Sequence, residues 1–307
     1  MPFGTGMHVA AGVLALAVCV REGRAEGEGP ISFVTIADAH TVPGNLKYLP
    51  QIVEKVNALP IQPDFVMALG DNVSGGKDHD VLQSAVEFEA CYSRLKTPHY
   101  YVIGNHECIP VEVYKLLTWP QLLGAWKMES RWYSFDVGQL HVCVLDGWIA
   151  LRTKRFVEVF QAQKKWFLND IQSTDKKTIV FIHQAIGFQQ KDCAHWLKTN
   201  NTKFWLPGNF FERTIEANSG KILAVFEGHK HKALWKRQGG VVYHQMGAAH
   251  TNGGQFAQVF IDPASGDFYV QAHPEPAGPD ADSVVQQSYG NRDVMERCRR
   301  LRAPEQR

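Results

Sequence analysis

Five short polar motifs in this 307-residue chain contain residues able to bind a metal ion or move a proton. They are Asp38-Ala39-His40, Gly70-Asp71-Asn72, Gly104-Asn105-His106-Glu107, His183, and Gly228-His229-Lys230-His231. Imidazoles, carboxylates and an amide oxygen are borderline-to-hard donors suited to zinc, manganese or iron, and no thiolate takes part. If one carboxylate bridges, such a set can hold two cations roughly 3.5–4 Å apart. A pair of that kind lowers the pKa of a bound water and neutralises charge on phosphoryl oxygens during in-line displacement. Each motif alone is a weak signal, because D-x-H or G-D arises by chance and a lone histidine is more often structural. Their order and their common placement carry the weight.

That placement is always just after a short apolar run: ISFVTIA, FVMAL, YYVI, TIVFI and ILAVFE. Such runs read as buried strands. In α/β sheets the carboxyl ends of strands open onto the ligand crevice, so loops from separate strands converge there. Glycines before Asp71, Asn105 and His229 fit tight turns where the backbone leaves the strand. Helical spacing of apolar residues predicts helices over 46–59, 81–95 and 162–171, the first closed by Pro60. The runs 132–137 and 140–145, joined by Gly138 and Gln139, read as a hairpin, and further strands are predicted over 240–245, 256–261 and 268–272. A β/α-alternating half followed by a β-rich half implies an α/β sandwich with sheets inside and helices outside. Beyond residue 273 the chain turns Pro-, Gly- and Asp-rich and then charged. Residues 274–307 therefore read as a partly disordered extension with room for one short helix.

Composition narrows the classes. A 45% hydrophobic chain of this length can bury a full core. The 32 Lys+Arg and 31 Asp+Glu leave a formal net charge of +1, which argues against a stable nucleic-acid partner or a polybasic membrane patch. The apolar run Val9–Val20 is too short to span a bilayer as a transmembrane helix but suits the core of a signal peptide, with cleavage after Ala25. Residues 1–25 thus read as an export signal, placing the protein in the periplasm or outside the cell. Against this, no Lys or Arg precedes the run, and Arg21 and Arg24 follow it. Cys19 in LAVC is a poor lipid-attachment site because Val18 is bulky. The remaining Cys91, Cys108, Cys143, Cys193 and Cys298 show no metal-ligand spacing. One disulfide among them is allowed, with no pairing legible, and Cys143 in its apolar run reads as a buried thiol.

Taken together, D-x-H, G-D, G-N-H-E, H and G-H-x-H resemble the calcineurin-like metallophosphoesterase superfamily, over residues 31 to 273. The segments WYSFDVGQLHVCVLD and QAQKKWFLNDI are similar to the stretch between the third and fourth motifs in many members. The resemblance implies two central mixed β-sheets flanked by helices, and two divalent ions (Mn, Fe or Zn). It implies Asp38, His40 and His231 on the first metal, Asp71 as the bridge, and Asn105, His183 and His229 on the second. His106 would not be a ligand but would protonate the leaving-group oxygen. Glu107 would orient a neighbour, or else form a surface salt bridge or cap. The implied reaction is hydrolysis of a phosphate mono- or diester, on a small nucleotide-like substrate, by hydroxide held between the metals.

Two other readings use the same fold. A non-catalytic binding scaffold is disfavoured by the complete ligand set, and a nuclease by the neutral charge and the lack of an added DNA-binding segment. Ser74 stands where the purple acid phosphatases carry their tyrosine, and GDNVSGG replaces the G-D-x-V-D-R-G of the Ser/Thr protein phosphatases. The cyclic-nucleotide phosphodiesterase and nucleotide-diphosphate hydrolase branches stay unseparated, and nothing indicates an oligomeric state. Tyr114, Trp119, Trp126 and Trp132 could stack on a base, although aromatics so spaced are more often core. Arg152, Lys154 and Arg155 could meet a second phosphate, although a solvated loop is the plainer reading. Of the extra histidines His195, His244 and His250, only His250 in GAAHTNGG is expected near the site.

Overall fold

The strands Ile31–Ile36 (β1), Phe65–Leu69 (β2) and His99–Val102 (β3) run parallel, and Phe256–Ile261 (β10) pairs antiparallel with β1. With Phe268–His273 (β11) and Tyr289–Gly290 (β12) they form a six-stranded sheet in the order β12-β11-β10-β1-β2-β3. The second sheet has the order β4-β5-β6-β7-β9-β8. Its parallel centre is Leu140–Leu145 (β5), Lys177–Ile182 (β6), Ile222–Glu227 (β7) and Val241–Gln245 (β9). Tyr133–Val137 (β4) and Leu234–Gln238 (β8) are its antiparallel edges. The computed structural model describes residues 29–75, 80–108, 118–147, 154–188, 208–273 and 288–303. The segment 1–25, and with it Cys19, lies outside them, as do Tyr114, Arg152, Cys193 and His195.

Successive side chains on a strand point to opposite faces, and here both faces are apolar, so each sheet must be covered twice. Between the sheets, Phe33 of β1 stacks on Phe65 with ring centroids 4.9 Å apart and meets Phe181 and Phe226 edge-on at 5.5 and 5.1 Å. Burying one such ring contributes about 1.5–3 kcal/mol. Val34 and Ile36 face the other way, onto helices Leu49–Asn57 (α1), Val81–Tyr92 (α2) and Thr118–Ala125 (α3). Leu49, Ile52, Val53 and Val56 of α1 supply its one apolar stripe, and Asp80 caps α2 by accepting from Leu82 and Gln83 N–H at 2.9 and 3.0 Å. Behind the second sheet, Cys143, Val180 and Val225 pack on Phe167 of Lys154–Ser173 (α4) and on Phe211 and Ile215 of Gly208–Ala217 (α5). The fold is the expected pair of mixed sheets flanked by helices.

The end of the chain holds the one short helix the sequence left room for and a strand it did not predict. After the undescribed stretch 274–287, β12 extends the first sheet beside β11, and helix Arg292–Arg302 (α6) lies over β10 and β11. Val294, Met295 and Cys298 of α6 are buried with Ile61, Phe260 and Tyr269. The ordered domain therefore continues past 273, and residues 288–303 belong to it. Cys91, Cys143 and Cys298 are buried, and Cys298 Sγ donates to Pro30 O at 3.7 Å. No helix among the described residues is long and apolar enough to cross a membrane.

Candidate metal centre

The parallel strands set the site. β1, β2 and β3 run into Asp38, Asp71 and Asn105, while β6 and β7 run into His183 and His229. Backbone bonds fasten neighbouring loops within each rim, and a bridge joins the two rims. Ala37 bridges Ala248, Asp38 N–H donates to Gly70 O at 3.0 Å, and Gly228 N–H donates to His183 O at 3.0 Å. Gly70 has φ +84 and lies so close to His183 that a Cβ there would meet its ring at 2.6 Å, so only glycine fits. Asp38 (φ 53), His40 (46), Asp71 (49), His229 (74) and His231 (56) all hold left-handed backbone. That conformation costs a non-glycine residue on the order of 1–3 kcal/mol and persists where surrounding structure enforces it, typically at functional sites.

The donor atoms converge. His40 Nε2 lies 3.1 Å from His231 Nε2, which lies 3.3 Å from Asp38 Oδ1. On the other side, His183 Nε2 is 3.1 Å from Asp71 Oδ2 and 3.2 Å from Asn105 Oδ1, and His229 Nδ1 is 2.7 Å from that same amide oxygen. Ligands bound at roughly 2.0–2.2 Å to one tetrahedral or octahedral ion sit about 2.9–3.5 Å from one another, so these spacings and donor types fit divalent metal. Asp71 Oδ2 also stands 3.9 Å from His40 Nε2, between the two groups. Among the described residues, donor atoms within 4.8 Å of one another define three sets: His40-Asp71-His106, Asp71-His183-His229 and His40-His231-His250.

Burial and the two carboxylates set the histidines apart. Burial pushes His40 down to about 3, against the pull of Asp71 and Asp38, and burial together with His183 pushes His229 down to about 4. Both imidazoles are therefore neutral at pH 7, the form that ligates. The hydrogen bond with Asp38 raises His231. Burial alone would depress His183, but the Asp71 carboxylate lifts it to about 10. Burial alone would raise Asp71, but His183 outweighs it and holds the carboxyl below its usual range.

Hydrogen bonds decide which ring nitrogen can donate an electron pair. A carbonyl only accepts, so His183 Nδ1, 2.9 Å from Leu69 O, carries a proton, and Nε2, facing Asp71, is the nitrogen that would ligate once an ion displaces its own proton. His106 is the reverse: its Nδ1 accepts from Gly75 N–H at 3.2 Å, so the proton sits on Nε2, 3.9 Å from Asp71 Oδ2. A protonated nitrogen does not ligate, which separates His106 from its neighbours although it falls within the same cluster.

Glu107 is no surface residue. It is buried and accepts backbone N–H bonds from Asn72 (2.6 Å), Gly104 (2.7 Å), Asp71 (3.1 Å) and Val73 (3.3 Å), pinning the β2 loop to the β3 loop. Burial and the charge of Asp71 raise its pKa to about 7, against His183 and the Asn72 and Gly104 donors. The sequence allowed Glu107 to orient a neighbour; what it did not reveal is that the bonded partners are main-chain groups. The Leu69 carbonyl and Gly75 N–H were likewise invisible, because a backbone partner leaves no residue-type signal. His250 does reach the site, its ring 4.6 Å from that of His40 and 4.8 Å from that of His231. Trp126 is core: it stacks on Tyr101 at 5.0 Å and donates to Ala85 O at 3.2 Å. Trp132 is half-buried beside β4, and His244 is buried against Phe226, away from the donor cluster.

Two mixed sheets with His, Asp and Asn donors gathered on one rim define a metallophosphoesterase-type α/β sandwich. The model of the calcineurin-like phosphoesterase family matches residues 31–233, and the chain belongs to that family. Among solved structures, GAP50, the anchor in the inner membrane complex of Plasmodium, is similar with a TM-score of 0.54 at 11% identity, over 86% of this chain and 89% of that one. PhoD is similar with a TM-score of 0.50 at 11% identity, over 87% of this chain and 69% of that one. A putative 5'-nucleotidase from Staphylococcus aureus gives 0.49 at 16% identity over 76% of this chain, which spans about half (51%) of that protein. At such identities the likeness is one of fold alone. No curated protein matches the chain.

Proposed function

We propose that this protein hydrolyses phosphate esters, using two divalent ions (Mn, Fe or Zn) held on the rim between its sheets. Asp38, His40 and His231 would hold the first ion and Asn105, His183 and His229 the second, with Asp71 shared. The observation that carries this reading is the position of Asp71 Oδ2, 3.1 Å from His183 Nε2 and 3.9 Å from His40 Nε2, one carboxylate facing donors of both groups. Bound there, the ions would supply a nucleophile from water at neutral pH and offset charge on the phosphoryl oxygens.

The protein's own residues supply the rest. His106, with its proton on Nε2, protonates the departing oxygen of the ester. Asp71 Oδ1 accepts the His106 backbone N–H at 2.7 Å and fixes where that acid stands. The side chains of His231 and His106 remain 38% and 32% exposed while Asp38, Asp71 and His183 are almost fully buried, so substrate approaches from the His231–His106 side. An open rim of this kind suits a small phosphorylated, nucleotide-like substrate. The complete donor set favours catalysis over a purely scaffolding role. The test is hydrolysis of bis-p-nitrophenyl phosphate and a panel of cyclic nucleotides, nucleotide diphosphates and monoesters, with added manganese and with chelator. Turnover should require the metal; chelator-resistant turnover would sink the reading.

A further inference from the structure

We propose that His250 is an additional metal ligand, binding through Nε2 on the Asp38-His40-His231 side; this rests on the metal-centre reading above. Three independent observations converge on it. The first is topological. β9 runs parallel to β7, and its carboxyl end leads through Met246–Ala249 to His250, so the residue is delivered to the rim as the other donors are. The loop is fastened there: Ala248 bridges Ala37, Ala249 N–H donates to Ala37 O at 2.7 Å, and His250 N–H donates to Asp38 O at 3.3 Å.

The second is spacing. A donor nitrogen of His250 lies within 4.8 Å of those of His40 and His231, and its ring stands edge-on to both of theirs. The third is the tautomer. His250 Nδ1 lies 2.7 Å from the carbonyl oxygen of Asp38, which can only accept, so Nδ1 carries the proton and Nε2 keeps a lone pair. This is the arrangement of His183 on the Leu69 carbonyl and the opposite of His106 on the Gly75 N–H. Metal-binding histidines commonly donate their second nitrogen to a backbone carbonyl in this way, which sets the ring and makes the free nitrogen more basic. The carbonyl belongs to Asp38, itself an expected ligand, so one residue would bind the ion and orient a second ligand. Asp38, His40, His231, His250 and the shared Asp71 make five donors. That number favours an ion accepting five or six ligands, such as Mn(II) or Fe(II), over four-coordinate structural zinc.

The experiment is metal binding by the full chain, stripped of metal and titrated with Mn(II) by calorimetry. Wild type, His250→Ala, His250→Asn and His183→Ala are compared. Asn retains a donor for the Asp38 carbonyl but has no imidazole. Both His250 variants should bind one of the ions about 10–100-fold more weakly and leave the other unchanged, whereas His183→Ala should weaken the other ion. In the unsubstituted protein, saturating Mn(II) should also protect His250 from diethylpyrocarbonate, read by mass spectrometry, so the test holds even if a variant misfolds. Wild-type affinities in both His250 variants, or modification of His250 indifferent to metal, would overturn the proposal. Loss in His183→Ala with none at His250 overturns this inference alone. A wild-type chain that binds no metal overturns the functional reading with it.

Discussion

Asp71 Oδ1 accepts the His106 N–H at 2.7 Å while Oδ2 faces His183 at 3.1 Å, so one carboxylate both shapes the β3 loop and faces the donor cluster. His106 faces the same carboxylate without a free lone pair on Nε2. Replacing it should therefore leave metal in place and cost only the proton transfer, about 10²–10⁴-fold in rate. His106→Ala is expected to retain wild-type metal content by elemental analysis with a kcat reduced by that factor. A metal-free His106→Ala would mean the histidine is a ligand. Glu107 acts through the backbone. Its removal leaves four buried N–H groups of the β2 and β3 loops without their acceptor, each worth about 1–3 kcal/mol if left unsatisfied. Glu107→Ala should lower the Tm by many degrees and weaken metal binding; an unchanged Tm would show the four bonds to be dispensable.

At the scale of elements, the sequence was informative where one physical rule dominated. The five apolar runs had to be buried strands, and a polar residue directly after each had to sit on a rim. The side chains that gather on that rim were therefore legible from the sequence. The missed elements obeyed weaker rules. Strand β8 (LWKRQ) is a half-exposed edge with Leu234 and Trp235 in solvent, so no alternation marks it. Helix α5 buries Phe211 and Ile215 at helical spacing, but a polar surrounding hid so short a stripe. Helix α4 begins at Lys154, earlier than the predicted 162, because charged residues dilute its first turns.

The β4–β5 hairpin is tied to α4 by His141, whose Nδ1 meets Asp136 Oδ1 at 2.7 Å and Nε2 meets Asp170 Oδ2 at 3.0 Å. Burial acts to lower the pKa of His141, but the bonds to Asp170 and Asp136 outweigh it, and the pKa is raised. A raised folded-state pKa gives stability that is complete below the unfolded value near 6.5 and fades as pH rises through the folded value. His141→Gln should thus lose roughly 1–3 kcal/mol at pH 5.5 and markedly less at pH 9, measured by urea unfolding. A difference independent of pH would show that His141 is not charged in the fold.

Across the whole molecule, the two rims close into one site only because both sheets share the Phe33–Phe65–Phe181–Phe226 interior, and the first sheet is completed by the end of the chain. The sequence left room for a short helix here, but the packing of α6 was hidden because Val294, Met295 and Cys298 are its only buried apolar residues among many arginines. Arg297 nevertheless reaches Asp262 at 2.5 Å, and Arg302 pairs with Asp64. Truncation after His273 should uncover Ile61, Phe260 and Tyr269 and cost at least ~3 kcal/mol by area buried. Denaturant unfolding would register this as a lower midpoint, whereas an unchanged midpoint would mean α6 is loosely held.

The central claim, that Asp71 joins two ion-binding groups into one centre, is tested most directly by counting metal. Elemental analysis of the purified, manganese-saturated chain is expected to give about two ions per molecule, falling in Asp71→Ala as hydrolysis is lost. A wild-type chain that saturates with a single ion, or an Asp71→Ala variant that keeps both, would contradict it.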